Sequence, residues 1–160
     1  MEGNSAVRSA CGLLLFSLLS CGCVGKPSAN NGKAALESAL AGAATILEYK
    51  KTDGQAAELL GIKGYIMKFE AKAKVKMDIN EIEKMGQNVT GNSYEVSMAR
   101  LQGWQLLVRL AIGSSGSAMA GAAMLGQGGP QKGAEVTIRG IITFAKSEQG
   151  WQPTLVEAMQ

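Results

Sequence analysis

Residues 64–77 read Gly-Tyr-Ile-Met-Lys-Phe-Glu-Ala-Lys-Ala-Lys-Val-Lys-Met. Tyr65, Met67, Phe69, Ala71, Ala73, Val75 and Met77 share one parity, and Ile66, Lys68, Glu70, Lys72, Lys74 and Lys76 share the other. Successive side chains of a strand point to opposite faces, so this alternation predicts a strand with one buried and one wet face. Antiparallel sheets covered by a helix on one side have that character. At about 3.3 Å per residue the strand is long, and a bend or bulge partway along it is expected.

Working outward, Glu135 to Lys146 gives a second strand, with Val136, Ile138, Ile142 and Phe144 on the face that also holds Gly140. The missing side chain at Gly140 leaves room for a crossing helix or marks a bulge. Ser147-Glu148-Gln149-Gly150 reads as a turn leading into a hairpin partner that starts at Trp151. Ser93 to Ala99 and Trp104 to Ile112 alternate less cleanly and are taken as further strands. Upstream, Leu36, Leu40, Ala43, Ala44 and Leu47 fall on one helical stripe, which predicts a helix over about 33–49. Lys50 and Lys51 suit its negative C-terminus, and Thr52-Asp53-Gly54 reads as its stop. The stripe is mostly Ala and Leu with few cations opposite, so it fits core packing better than a membrane-surface helix. The expected fold is α+β, one N-terminal helix packed on a curved antiparallel sheet of about four strands.

The chain has 160 residues, 46% of them hydrophobic but only 5% aromatic, which allows one domain with a thin core. A net charge of +3 is too small a surplus to argue for nucleic acid or acidic lipid. Histidine is absent, which removes the commonest general base and the commonest metal ligand.

The start of the chain carries a different kind of information. After Arg8 comes an apolar run, Cys11 to Leu19, of signal-peptide size and too short to span a bilayer. It ends in Leu18-Leu19-Ser20-Cys21-Gly22-Cys23. This stretch resembles the lipobox of bacterial lipoproteins, with an apolar residue three before the cysteine and a small residue just before it. The resemblance implies a thiol acylated with diacylglycerol, cleavage before Cys21 and acylation of the new amine. Residues 1–20 are then a signal peptide and 21–32 a lipidated tether. Cys23, preceded by Gly22, is the alternative lipidation site, and an ordinary secretory signal is the alternative to lipidation. Two or more acyl chains hold a protein on a membrane stably where one does so only marginally. With Cys21 acylated, Cys23 is the sole thiol left after cleavage, so no intramolecular disulfide forms although the compartment permits one. Val24 to Gly32, rich in Gly, Pro, Ser and Asn, suits a tether.

The order of Lys50-Lys51-Thr52-Asp53-Gly54, the strand from Tyr65 to Ala71, and Ile141-Ile-Thr-Phe-Ala-Lys-Ser-Glu-Gln-Gly-Trp151 is similar to a group of small uncharacterised bacterial proteins and lipoproteins. Their chains end in a phrase like Phe-x-Lys-Thr-Glu-Lys-Gly-Trp; Ser147 stands here for the Thr and Gln149 for the second Lys. No activity follows from this likeness. The helix-on-sheet outline is also similar to cystatin-like and nuclear-transport-factor-like folds, and such likeness does not carry function.

The domain is expected to run from 33 to 160, with a Gly/Ala-rich loop at 113–133. Gly113 to Gly129 contains small residues, two methionines and no charge. It reads as a flexible loop, with a short helix for close packing and a membrane-inserting segment reaching back to Leu106 as alternatives. Insertion would place Arg109 in the span at about 2.5–3.5 kcal/mol.

Chemistry is sparse. A nucleophilic triad of the usual kind needs a histidine, and no serine has the setting of a Ser–Lys pair. Gly126 to Gly133 lacks the Gly-Lys-Ser/Thr ending of a phosphate loop. Asp78, Glu81 and Glu83 lack the spacing and central glycine of a calcium loop. Asn88-Val89-Thr90 is a glycosylation sequon without meaning in a bacterial host. The expectation is therefore a protein that is not an enzyme and takes no cofactor, metal or nucleic acid. Lys68, Lys72, Lys74 and Lys76, relieved by Glu70, form the candidate contact surface; lysines also keep exposed strands from pairing with other chains. Tyr65, Met67, Phe69, Phe144 and Trp151 are the candidate pocket or core. Two functional readings result. One is a lipid-anchored interaction or structural module of the bacterial cell envelope, with the membrane and an envelope protein as partners. The other is a periplasmic carrier of a small apolar ligand held between helix and sheet.

Overall fold

The computed structural model describes residues 25–59, 61–81, 84, 93–115, 126 and 128–159. Four antiparallel strands form one open sheet in the order β1-β2-β3-β4: β1 Ala44–Leu59, β2 Ile62–Val75, β3 Glu135–Ser147 and β4 Gly150–Ala158. Helix α1, Ala29–Leu40, precedes the first hairpin, and helix α2, Ser93–Ser114, lies in sequence between the two hairpins. The α+β class and the helix on an unclosed four-stranded sheet are as the alternation predicts; the further helix is not.

Helix α1 starts earlier and ends sooner than its stripe suggests. Ser28 caps it: the Ser28 hydroxyl accepts the Asn31 backbone N–H at 3.3 Å and the Asn31 side chain accepts the Ser28 N–H at 2.9 Å. That satisfies two donors that a helix start leaves open. Within the expected tether, Pro27 is buried and the last residues, 29–32, are the first turn of α1. The helix stops at Ala41 and Gly42, both with positive φ (46° and 82°). Residues Thr45 to Tyr49, which continue the apolar stripe, instead belong to β1. β-Branched and aromatic side chains favour a pleated surface, and the left-handed turn at 41–42 is what redirects them. Lys50 to Gly54 is thus mid-strand rather than a helix stop.

The irregularity expected in the long strand β2 lies in its neighbour. Register shifts in β1 fall between Ile46 and Glu48 and between Lys51 and Asp53, so Leu47 and Thr52 are the extra residues. Bulges of this kind bend an edge strand and blunt its tendency to pair with another chain. The β3–β4 hairpin forms as read, with Trp151 opposite Lys146.

Residues 93–112 are a correction: they form one helix, not strands. Trp104, Leu107, Val108 and Ala111 are buried at the i, i+3, i+4, i+7 spacing of a helix face, and Leu110 is buried beside them. Apolar residues also occur off this face, which is why the segment looks alternating. Both helices pack on one side of the sheet, α1 mainly on β1 and α2 mainly on β3. Two glycines permit the close approach. A Cβ on Gly103 would run into the Leu40 carbonyl at the end of α1. A Cβ on Gly140 would meet Leu110 of α2 at 2.7 Å, so the bare position in β3 accommodates a crossing helix. The main core joins Leu36 and Leu40 of α1, Leu107 and Leu110 of α2, the inward row of β2, and Ile138, Ile142 and Phe144 of β3. Ala43, Met77, Trp104 and Val108 form a smaller cluster.

Candidate functional site

With both helices on one side, the other face of the sheet is open among the described residues. Its centre and the end where β1 starts are charged, because β1 and β3 present counter-charges to the lysine row. Glu48 lies opposite Lys72, Asp53 opposite Lys68 and Arg139 opposite Glu70 in the register. The resulting ion pairs are Lys72–Glu48 at 3.0 Å, Lys68–Asp53 at 3.3 Å and Arg139–Glu70 at 2.7 Å. The Gly54 backbone N–H, followed by the Lys68 ammonium, holds the Asp53 carboxyl below its ordinary value. Glu48 raises the Lys72 ammonium above its own. The stripe is therefore a checkerboard rather than a band of positive charge. Among the described residues, Lys74 and Lys76 have no ion-pair partner, although Glu135 lies opposite Lys74 in the register. Exposed pairs like these contribute little stability but set which charge pattern a partner must match.

Toward the hairpin tips the same face turns apolar. Ala57, Ile62, Gly64, Ile66, Thr143, Ala145 and Thr154 line a cleft of about 330 Å³. Its rim carries Ile62 at 58% exposure, and nearby Leu155 is 50% exposed. A register shift at Thr143/Phe144 makes Thr154 the extra residue of β4, and its hydroxyl donates to the Thr143 carbonyl at 3.1 Å. The lysine parity already contained the signal for this half, since Ile66 stands on the wet face. The acids of β1 do not show in the sequence pattern, because Glu48 falls on the expected helix and Asp53 in its expected stop.

The second set of candidate residues lies on the covered face. Tyr65, Met67, Phe69 and Phe144 are at most 2% exposed and are core. Tyr49 stacks on Phe69 with centroids 5.6 Å apart, and its burial pushes the phenol well above its ordinary value. Trp151 is half-buried, edge-on to Tyr65 at 6.1 Å, and its indole N–H donates to the Gly25 carbonyl at 2.5 Å. Lys51 donates to the Pro27 carbonyl at 3.2 Å and to the Tyr65 hydroxyl at 2.9 Å. These contacts pin residues 25–27 to the hairpin end of the sheet. The two made by Lys51 follow from its place in β1.

The acidic cluster resolves into local structure: Asp78 accepts the Glu81 N–H at 3.0 Å, and Glu81 pairs with Lys132 at 2.5 Å. Glu83, the sequon at 88–90, residues 116–125 of the small-residue stretch, and residues 1–24 with Cys21 and Cys23 lie outside the described residues. Among the described residues no group of side chains is arranged to hold a metal ion, and no helix is long and apolar enough to cross a membrane. No family model, curated protein or solved structure matches this chain.

Proposed function

We propose that this chain is a lipid-anchored module of the bacterial cell envelope, attached through Cys21 and engaging an envelope partner with the open face of its sheet. The observation that carries the reading is the run Leu18-Leu19-Ser20-Cys21, only four residues ahead of the point where Trp151 binds the Gly25 carbonyl. An anchor so placed keeps the domain close to the membrane. The sheet face supports the second half of the reading, because neither helix covers it and its charges alternate in sign across three strands. Such a pattern favours register-specific contact over general attraction to anions.

The test is labelled-palmitate incorporation with membrane fractionation in a bacterial host, for the wild type, Cys21→Ser and Cys23→Ser. Loss of label and of membrane residence in Cys21→Ser alone is the expected result. Loss in Cys23→Ser alone shifts the anchor by two residues. No label in any of the three overturns the anchored reading.

A further inference from the structure

Among the described residues the open face of the sheet carries ion pairs near its centre and an apolar cleft at the hairpin tips, and the N-terminal segment enters the fold at that same end. We infer that the hairpin end of the sheet, with Ile62, Ile66 and Leu155 at its apolar rim, lies against the lipid bilayer. The inference rests on the anchored reading proposed above and adds an orientation and a contact surface to it.

The argument is one of reach and of matched chemistry. Trp151 pairs with Lys146 next to the β3–β4 turn and holds the Gly25 carbonyl there. Cys21 lies four residue steps before Gly25, and a chain extends by at most about 3.6 Å per residue, so an acylated Cys21 stays within about 14 Å of Gly25. The acyl chains are thus confined to the hairpin end of the domain. That end presents an apolar cleft of about 330 Å³, lined by Ala57, Ile62, Ile66 and Ala145 among others. Lys63 and Lys146 stand at this same end of the sheet, on the parity of Tyr65 and Phe144 and so on the other side from the cleft. Exposed apolar side chains within reach of an acylated residue, with a tryptophan at the same end of the sheet, suit the boundary between acyl chains and headgroups. The opposite end of the same face has the reverse character, with Lys74 and Glu135 opposite one another in the register.

The test uses the mature lipidated protein in vesicles of phosphatidylethanolamine and phosphatidylglycerol. With Cys23→Ser and cleavage removing Cys11, Ile62→Cys supplies the sole free thiol for a polarity-sensitive dye. Lys74→Cys supplies a control on the same face about 40 Å away, at 3.3 Å per residue. Both replaced residues are exposed, so the fold tolerates them. Palmitate label is read on the same samples. The expected result is a blue-shifted dye at 62, quenched several-fold more strongly than the dye at 74 by nitroxide-bearing lipid. Palmitate present with equal quenching at both positions overturns the orientation and leaves the anchor standing. A blue shift at 62 that grows with protein density, without lipid quenching, overturns it in favour of a second copy of the chain on this surface. Absence of palmitate overturns the anchor and this inference with it.

Discussion

Replacing Gly140 by alanine tests whether the bare position in β3 exists because helix α2 crosses it. An added methyl would collide with the Glu157 backbone carbonyl of β4, approach Leu110 Cδ2 to 2.7 Å and Phe69 Cε1 to 3.1 Å. Leu110 and Phe69 are both buried core residues, and the Glu157 carbonyl belongs to a strand paired with β3. None of the three is the free end of an exposed side chain, so the extra carbon forces backbone or core to shift. Overpacking of this kind costs about 1–3 kcal/mol. Alanine in a strand recovers about 0.5–1 kcal/mol through its smaller loss of backbone entropy. The net destabilisation is therefore about 0–2.5 kcal/mol, a fall in Tm of up to roughly 10 °C for a domain of this size. Gly64 of β2 is the internal control, because an added methyl there meets the Phe144 and Ala57 carbonyls at 3.4 and 3.6 Å and the Ala57 Cβ at 3.8 Å, all ordinary van der Waals contacts. Gly64→Ala keeps the entropic gain without the clash and is expected to be neutral or to stabilise by up to about 0.5–1 kcal/mol. Thermal and urea unfolding followed by circular dichroism measures both. If the two alanines have equal effects, the close crossing of α2 over β3 is refuted, and the glycine has another reason.

Two further perturbations probe the turn after α1 and the charged face. Ala41 holds a left-handed φ of 46° next to Gly42, where a Cβ costs about 1–2 kcal/mol, so Ala41→Gly is expected to stabilise the protein by about 0.5–1 kcal/mol after its entropic penalty. A lower urea midpoint for that variant would show that the helix does not end as described. The Asp53 carboxyl, depressed first by the Gly54 N–H and then by Lys68, contributes stability that is complete above its unfolded pKa of about 3.9 and is lost as pH falls through its lower folded value. In Lys68→Met, a carboxylate NMR titration should find Asp53 moved up toward the ordinary range but still below it, because the Gly54 N–H remains. A wild-type Asp53 that titrates at or above the ordinary range contradicts the pairing.

Some of this protein was legible in one dimension. The alternation from Tyr65 to Met77 names its buried and wet faces without any knowledge of a partner, because a two-residue period is a property of the strand itself. The β3–β4 hairpin is likewise written in a local turn. The anchor proposed at Cys21 is of another kind, since it rests on the linear run Leu18 to Cys21 alone.

What the tertiary structure decided lies where local preference was close to balanced. Residues 44–49 have both a helical stripe and β-branched side chains, and the left-handed turn at Ala41–Gly42 settles the choice by aiming the chain back along β2. Residues 93–112 are apolar on more than one side, so their helix is selected by what it covers: Leu110 over Gly140, and Gly103 under the end of α1. The character of the open face follows from the same event. Once residues 44–59 form a strand, Glu48 and Asp53 come opposite Lys72 and Lys68, and a row of lysines becomes an alternating field with an apolar end. Charge and hydrophobicity are properties of single residues, but a surface is made by register between strands distant in sequence, and register is fixed only when the sheet and its helices pack together.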